Sequence, residues 1–109
     1  MVDRVLLSSF DHSYLQLARR LSPRIRTGVL TMLAIRQPMN YLERIRAQAY
    51  NPRSSAVRAR MVQALRSSGH EVYVWTVNDE RTMRKLIKMG VSGIITDYPQ
   101  TLHRLLAQR

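Results

Sequence analysis

The stretch from residue 69 to residue 78 is Gly69-His70-Glu71-Val72-Tyr73-Val74-Trp75-Thr76-Val77-Asn78, and it contains the clearest strand signal in the sequence. Its Val72–Val77 portion is rich in β-branched and aromatic residues, which is typical of a β-strand. Gly69 stands where a glycine commonly follows the end of a helix. Asn78 is predicted to cap a second helix, whose first turn is acidic. The stretch therefore predicts the succession helix, buried strand, helix.

Similar apolar runs occur on both sides of this stretch. Val5–Phe10, Thr27–Leu33 and Val91–Thr96 are each predicted to be a strand, because apolar residues on both faces are typical of buried parallel strands. Ala47–Pro52 is ambiguous and is interpreted as a brief extended piece, since Pro52 biases the residue before it away from the helical region.

Helices are predicted between the strands, each with an apolar face turned to the sheet. Asp11 and Ser55 are expected to cap two of them, Gly90 to end the one after Asn78, and Pro99 to start the last. The side chains expected to face inward are Tyr14, Leu17, Ala18 and Leu21; Tyr41, Leu42 and Ile45; Val57, Met61, Ala64 and Leu65; and Leu102, Leu105 and Leu106.

Strands that alternate with helices predict an α/β fold with a parallel sheet. The chain has 109 residues and provides about four βα units. A complete (β/α)8 barrel needs roughly 200 residues or more. The prediction is therefore a parallel-sheet half of a TIM-type (β/α)8 barrel.

The composition limits the classes of function. The chain has no cysteine, which excludes disulfides and thiolate metal sites, and its net charge is +11. The basic residues are scattered, which favours solvent-facing helix surfaces, although affinity for nucleic acid or anionic membranes stays open. No apolar run approaches the roughly 20 residues that span a bilayer. The start of the chain lacks the pattern of a signal peptide, so a soluble, cytoplasmic protein is expected.

Four stretches carry a family resemblance when taken in order. They are Leu7-Ser8-Ser9-Phe10-Asp11, Tyr50-Asn51-Pro52, the stretch 69–78, and Gly90-Val91-Ser92-Gly93-Ile94-Ile95-Thr96-Asp97-Tyr98-Pro99. At this spacing they closely resemble the last strands of the glycerophosphodiester phosphodiesterase family. The resemblance covers essentially the whole chain.

The resemblance implies a (β/α)8 barrel that hydrolyses glycerophosphodiesters to glycerol 3-phosphate and an alcohol, a reaction of lipid and glycerol metabolism. It also implies a divalent cation, for which magnesium or calcium suits oxygen ligands. The family's His-Arg-Gly, Glu-Asn, Glu-x-Asp and Glu-x-Lys motifs belong to its first half, and none occurs here. Residues 1–109 are thus expected to be the C-terminal half of the domain, truncated and inactive alone, with no catalytic or metal-binding residue of their own.

The resemblance does imply one wall of a substrate pocket. In a barrel the functional groups lie at the C-terminal ends of the strands, which singles out Ser9, Phe10, Trp75, Asn78 and Asp97. By resemblance, Trp75 packs against the glycerol or leaving-group portion of the substrate, with Phe10 beside it. Structural alternatives stay open: Trp75 as a core residue, and Asp97 and Asn78 as helix caps.

Other polar and sulfur-containing residues suggest no site. His12, His70 and His103 share no metal-binding spacing and are predicted to lie at the surface. The methionines Met32, Met61, Met83 and Met89 are predicted to fill gaps in the core.

Two alternative functions remain. One is a non-catalytic module that binds nucleic acid or anionic lipid through its arginines, with nucleic acid the less favoured because no recognised motif is present. The other is a half-barrel that self-associates through its exposed sheet edges.

Overall fold

Five strands alternate with five α-helices within residues 6–108, the part of the chain that the computed structural model describes. The strands are β1 (Leu6–Ser9), β2 (Arg26–Thr31), β3 (Ala49–Pro52), β4 (Glu71–Val74) and β5 (Gly93–Ile94). The helices are α1 (His12–Leu21), α2 (Pro38–Ile45), α3 (Ala59–Ser67), α4 (Glu80–Met89) and α5 (Pro99–Gln108), with a 3-10 turn at Ser54–Ala56. Val5, predicted to begin the first strand, lies outside the described residues.

The strands form one sheet in the order β1-β2-β3-β4-β5, and every neighbouring pair is parallel. The predicted parallel α/β fold is confirmed. There are five βα units within residues 6–108 rather than about four, because the ambiguous segment before Pro52 forms β3 and pairs with both β2 and β4. β1 and β5 lie at the two edges of the sheet.

The two faces of the sheet have different roles. Alternate residues of a strand point to opposite faces, and in β4 Val72 and Val74 are fully buried whereas Tyr73 is only half-buried. The buried face packs against the helices through a core that includes Leu42, Tyr50, Val62, Leu65, Val74, Met83 and Leu86. The opposite face presents Tyr73 and, just beyond β4, Trp75. In a complete barrel this second face is the interior.

The predicted N-terminal cap holds for α1 and fails for α3 and α4, whereas Gly90 ends α4 and Pro99 begins α5 as predicted. The Asp11 carboxylate accepts a hydrogen bond from the Ser13 N–H and caps α1, as predicted. Asp79, not Asn78, caps α4 by accepting from the Thr82 N–H, because the Asn78 side chain bonds to the neighbouring loop instead. Ser55 does not cap α3: it lies in the 3-10 turn, and Arg58 holds the cap position.

The start of α4 gives a pH-dependent prediction. Hydrogen bonding by Thr82, first through its side chain and then through its backbone N–H, holds the pKa of Asp79 below its ordinary value of 3.8. A carboxyl group whose pKa is lower in the folded state than in the unfolded state stabilises the fold at pH values above its unfolded pKa. This stabilisation is lost as the pH falls through the folded-state pKa. The Asp79→Ala variant should therefore have a lower urea midpoint than the wild type near neutral pH, and this difference should shrink below pH 3.8.

Asp79→Asn is the matched control for that cap. Asparagine caps helices about as well as aspartate but does not titrate. The variant is expected to keep a urea midpoint near that of the wild type at neutral pH. A difference between Asp79→Ala and the wild type that stays constant across the acid range would contradict the role given to the carboxylate.

Several predicted inward faces are wrong in detail. In α1 the buried residue is Leu15, whereas Tyr14, Leu17 and Leu21 are exposed, the last by 78%. These three belong to a helix at the edge of the sheet, where no other helix of the described chain covers them. In α3, Val62 is buried and Ala64 is exposed.

The end of β2 and the inward face of α5 also differ from the prediction. β2 stops at Thr31, so Met32 and Leu33 lie in the following loop and are exposed, by 56% and 83%. Met32 is therefore not a core residue, while Met83 is fully buried and Met61 and Met89 pack against the core. In α5, Leu105 is buried but Leu106 is exposed.

Within residues 6–108 no helix is both long enough and apolar enough to cross a membrane.

Candidate functional site

Two aromatic side chains meet at the C-terminal ends of the strands. Phe10 follows β1 and Trp75 follows β4, and their ring centroids are 5.6 Å apart with the ring planes at 86°. This edge-to-face arrangement is a favourable geometry for aromatic pairs. Phe10 is 53% exposed and Trp75 is half-buried. The pair therefore forms an open aromatic surface on the face opposite the helices. Its two rings follow strands that are separated in the sheet by β2 and β3.

The Trp75 ring has a fixed orientation. Its Nε1–H donates a hydrogen bond of 2.8 Å to the backbone oxygen of Asn51 in β3. The backbone of Trp75 is also held, because its N–H donates to Pro52 and its carbonyl accepts from Ser54. The indole is thus anchored on its polar side, while Phe10 contacts it from the other strand end.

Asn78 and Asp97 form a second pair, which joins the loop after β4 to the loop after β5. The Asn78 Nδ2 donates to the Asp97 Oδ2 at 3.0 Å, and the Asp97 N–H donates to the Asn78 Oδ1 at 3.0 Å. The Thr96 hydroxyl donates to the same Asn78 oxygen. Both side chains are exposed. The predicted cap of α4 by Asn78 is therefore wrong, and the Asp97 carboxylate is directed to Asn78 rather than to α5.

Ser9 has a local role in the described structure. Its hydroxyl accepts a hydrogen bond of 3.0 Å from the Asp11 N–H, which stabilises the turn between β1 and α1. Phe10 lies within that turn. The contact thus fixes the backbone on both sides of the exposed phenyl ring.

Asn51 is a buried polar residue near the site that sequence reasoning did not single out. It is 2% exposed, and its Nδ2 donates to the Ser8 hydroxyl at 2.6 Å. A Cβ at Gly28 would lie 3.0 Å from that same Nδ2, so the glycine makes room for the amide. The Tyr50-Asn51-Pro52 motif contained the signal, since asparagine is depleted in strand interiors. From β3, the Asn51 side chain thus bonds to β1 and lies against Gly28 of β2.

His12 was predicted to lie at the surface, and the structure corrects this. It is half-buried: its Nδ1 is 2.5 Å from the Tyr41 hydroxyl and its Nε2 is 3.2 Å from the Leu30 carbonyl. A carbonyl can only accept, so Nε2 donates to the Leu30 carbonyl, while Nδ1 lies within hydrogen-bond distance of the Tyr41 hydroxyl. Arg44 stacks on the Tyr41 ring at 5.2 Å. His70 is also half-buried, whereas His103 is exposed as predicted.

The described residues do not fit a divalent cation. Among residues 6–108 no group of three or more His, Cys, Asp or Glu side chains lies close enough to share a metal ion. The two carboxylates at the strand ends that carry the site are already engaged: Asp97 accepts from Asn78, and Asp11, next to Phe10, accepts from the Ser13 N–H and caps α1. No chemical step is therefore assigned to a metal held by these residues.

Comparison with known proteins places this arrangement in a family. A sequence model of the glycerophosphoryl diester phosphodiesterase family matches residues 2–101. The chain belongs to this family. A glycerophosphodiester phosphodiesterase from Bacillus altitudinis is 41% identical over 99 residues, which are 89% of this chain and 40% of that protein.

Solved structures of the family have the same fold. A glycerophosphodiester phosphodiesterase from Parabacteroides distasonis superimposes with a TM-score of 0.86 at 26% identity, over 99% of this chain and 45% of that one. A phosphodiesterase from Oleispira antarctica, solved in complex with the product sn-glycerol-3-phosphate, gives a TM-score of 0.87 at 26% identity, over 94% of this chain and 41% of that one. The chain thus spans less than half the length of these relatives.

The family match settles the architecture of the described residues. The five-stranded sheet is a part of the (β/α)8 barrel of the glycerophosphodiester phosphodiesterases, as the sequence predicted. In the complete barrels of these relatives, the face that corresponds to the one carrying Phe10, Asn51, Tyr73 and Trp75 here is the interior, and enzymes of this fold place their active sites at its C-terminal mouth.

Proposed function

We propose that this chain provides the wall of a glycerophosphodiester phosphodiesterase active site that receives the glycerol portion of the substrate. The observation that carries the proposal is the contact between Phe10 and Trp75 at the C-terminal ends of β1 and β4. The reaction is hydrolysis: a water oxygen bonds to phosphorus, the bond from phosphorus to the alcohol oxygen breaks, and the alcohol leaves with a proton. The products are glycerol 3-phosphate and the alcohol.

The aromatic pair suits the carbon side of glycerol. Aromatic rings offer a large apolar surface at low conformational cost, and the bond from Trp75 to Asn51 holds one ring in place before substrate arrives. A ring that is fixed in advance loses less entropy on binding. We therefore assign Trp75 and Phe10 to the contact with the glycerol backbone.

The polar pair suits the hydroxyl groups of glycerol. Asn78 uses one Nδ2 hydrogen for Asp97, and the amide carries a second one. Asp97 accepts from Asn78 at one carboxylate oxygen, which leaves a second oxygen as an acceptor. A donor and an acceptor that stand side by side at the mouth of the barrel can bind a vicinal diol. Ser9 contributes by holding the turn that carries Phe10.

The remaining parts of the active site belong, in this proposal, to the rest of the barrel. The magnesium or calcium ion and the acid/base residues expected for the family would be supplied by residues outside 6–108, on the same polypeptide or a separate one. The exposed apolar residues of α1, Tyr14, Leu17 and Leu21, support this, because such a surface is normally covered. The prediction of a cytoplasmic location is retained with the proposal.

The two open edges of the sheet would also support self-association. β1 and β5 each have one side on which no strand of residues 6–108 pairs with them, and open edges favour pairing with another chain. Light scattering of the purified chain distinguishes this alternative, since it predicts a mass above that of one chain.

The proposal predicts how the purified chain behaves alone. We expect no release of glycerol 3-phosphate from glycerophosphodiesters with or without added magnesium or calcium, because among residues 6–108 no three His, Cys, Asp or Glu side chains lie close enough to share a cation. An enzyme-coupled assay for glycerol 3-phosphate measures this. Metal-stimulated release by the chain alone would overturn the assignment of the catalytic groups to the rest of the barrel.

A further inference from the structure

The outward face of α4 carries a continuous basic stripe. Residues separated by three, four and seven positions lie on one side of a helix, and four exposed basic residues have this spacing. The opposite side of α4 holds Met83 and Leu86, both buried in the core. The stripe consists of Arg81, Arg84, Lys85 and Lys88.

Acidic residues neutralise only part of this stripe. Glu80 accepts from Arg84 at 2.8 Å and from Arg104 at 2.9 Å. These hydrogen bonds, the one from Arg84 first, lower the pKa of Glu80, so its carboxylate is charged at neutral pH. Arg81, Lys85 and Lys88 have no carboxylate partner within 4.0 Å among residues 6–108. The surface therefore keeps a positive charge of its own.

A groove with an aliphatic floor runs beside the stripe. It lies between α4 and α5, has a volume of about 520 Å³, and is lined by the four basic residues together with Ile87, Leu105 and Gln108. Leu105 is buried and Ile87 is half-buried, so the apolar groups lie below the charged ones. The groove thus has a cationic rim above an apolar base.

This surface stays open when the barrel is complete. α4 packs against α3 on one side and α5 on the other, so both of its neighbouring helices are present in the described chain. The rest of a barrel joins the sheet at the β1 and β5 edges. The basic face of α4 is on the outside of the helix layer, away from the barrel interior.

We propose that the groove between α4 and α5 binds the headgroups of anionic phospholipids at a membrane surface. Phosphate groups of such lipids pair with the basic rim, and basic side chains near an anionic leaflet gain favourable electrostatic energy. The aliphatic floor suits the glycerol and first methylene groups beneath the phosphate. Single-stranded nucleic acid fits less well, because it is held by stacking on aromatic side chains as well as by basic ones, and none of the residues that line this groove is aromatic. The proposal is independent of whether the chain takes part in hydrolysis.

The test is co-sedimentation of the full chain with lipid vesicles. Vesicles of phosphatidylcholine containing phosphatidylglycerol are compared with vesicles of phosphatidylcholine alone, at about 0.1 M salt, where the Debye length is about 10 Å. The triple variant Arg81→Ala, Lys85→Ala and Lys88→Ala removes the three basic side chains of the stripe that have no carboxylate partner among residues 6–108. Each basic residue removed is expected to weaken binding about fivefold, and about 1 M salt should abolish binding to the anionic vesicles.

A matched control distinguishes binding at this specific surface from attraction by the overall charge of the chain. The triple variant Arg20→Ala, Arg24→Ala and Arg36→Ala removes the same charge from exposed positions in and after α1 and before α2. It is expected to change binding less than twofold, and the double variant Lys85→Arg and Lys88→Arg should bind like the wild type. Circular dichroism of each variant verifies that the fold is retained.

Three results would overturn the proposal. The first is an equal loss of binding in the two alanine triple variants, which would show that only net charge matters. The second is equal binding to the uncharged vesicles. The third is tight binding to duplex DNA that the α4 variant impairs while vesicle binding is unchanged, which would make nucleic acid the partner.

Discussion

Replacing Trp75 by alanine is expected to lower kcat/KM for a glycerophosphodiester by about 30- to 150-fold, since removing an aromatic contact with the substrate costs roughly 2–3 kcal/mol. The measurement uses a completed barrel, made by joining this chain to the N-terminal portion of the Bacillus altitudinis relative. The loss has two causes. The indole surface that packs on glycerol is removed, and Phe10 loses the ring that it contacts at 5.6 Å.

Trp75→Phe is the matched control for this effect. Phenylalanine keeps an aromatic face beside Phe10 but cannot donate to the Asn51 carbonyl, which the indole Nε1 does at 2.8 Å. One neutral hydrogen bond is worth about 1 kcal/mol, so a loss of roughly fivefold is expected. An alanine variant whose kcat/KM stays within twofold of the wild type would remove Trp75 from the substrate wall.

The second large effect concerns the core. Leu42→Ala is expected to lower the free energy of unfolding by about 2–5 kcal/mol, because it leaves a cavity in a packed interior. Leu42 has 0% exposure and lies in the cluster that joins the helices to the sheet. Urea unfolding followed by circular dichroism measures the change.

Leu33→Ala removes the same atoms from an exposed position and serves as the control. Leu33 is 83% exposed in the loop after β2, and substitutions at such positions usually change stability by less than about 0.5 kcal/mol. Similar losses in the two variants would show that the described packing of α2 is incorrect.

Much of the fold could be predicted because the signals are local. A run of β-branched residues from Val72, an aspartate before α1 and a glycine after α4 each act within a few residues. What could not be predicted is set by distant partners. Asn78 and Asp79 are both good capping residues, and Asp79 caps α4 because Asn78 bonds to Asp97, 19 residues away.

The inward faces of the helices were harder to predict for a related reason. Periodicity shows that a helix has an apolar side, but it does not show which neighbours cover that side. In α1, Leu17 and Leu21 are apolar yet exposed, whereas Leu15 meets the core. The apolar pattern of α1 therefore reflects a surface that residues 6–108 do not themselves cover.

The candidate site was predictable only in part. Phe10, Trp75, Asn78 and Asp97 could be placed at strand ends from the sequence, but their pairing across the sheet required the structure. Asn51 and His12 were missed because their partners, Ser8 and Tyr41, are 43 and 29 residues away. An asparagine inside a strand is an unusual local signal, but neither Asn51 nor His12 has a local motif that identifies its partner.

The central claim is that this chain supplies one wall of a glycerophosphodiester phosphodiesterase site and that the rest of the barrel supplies the catalytic groups. The most direct test measures glycerol 3-phosphate release by the completed barrel, by this chain alone and by the Bacillus altitudinis N-terminal portion alone. We expect metal-dependent release from the completed barrel only, with the activity sensitive to Trp75→Ala. A completed barrel that folds but does not hydrolyse glycerophosphodiesters would contradict the claim, as would activity in either part alone.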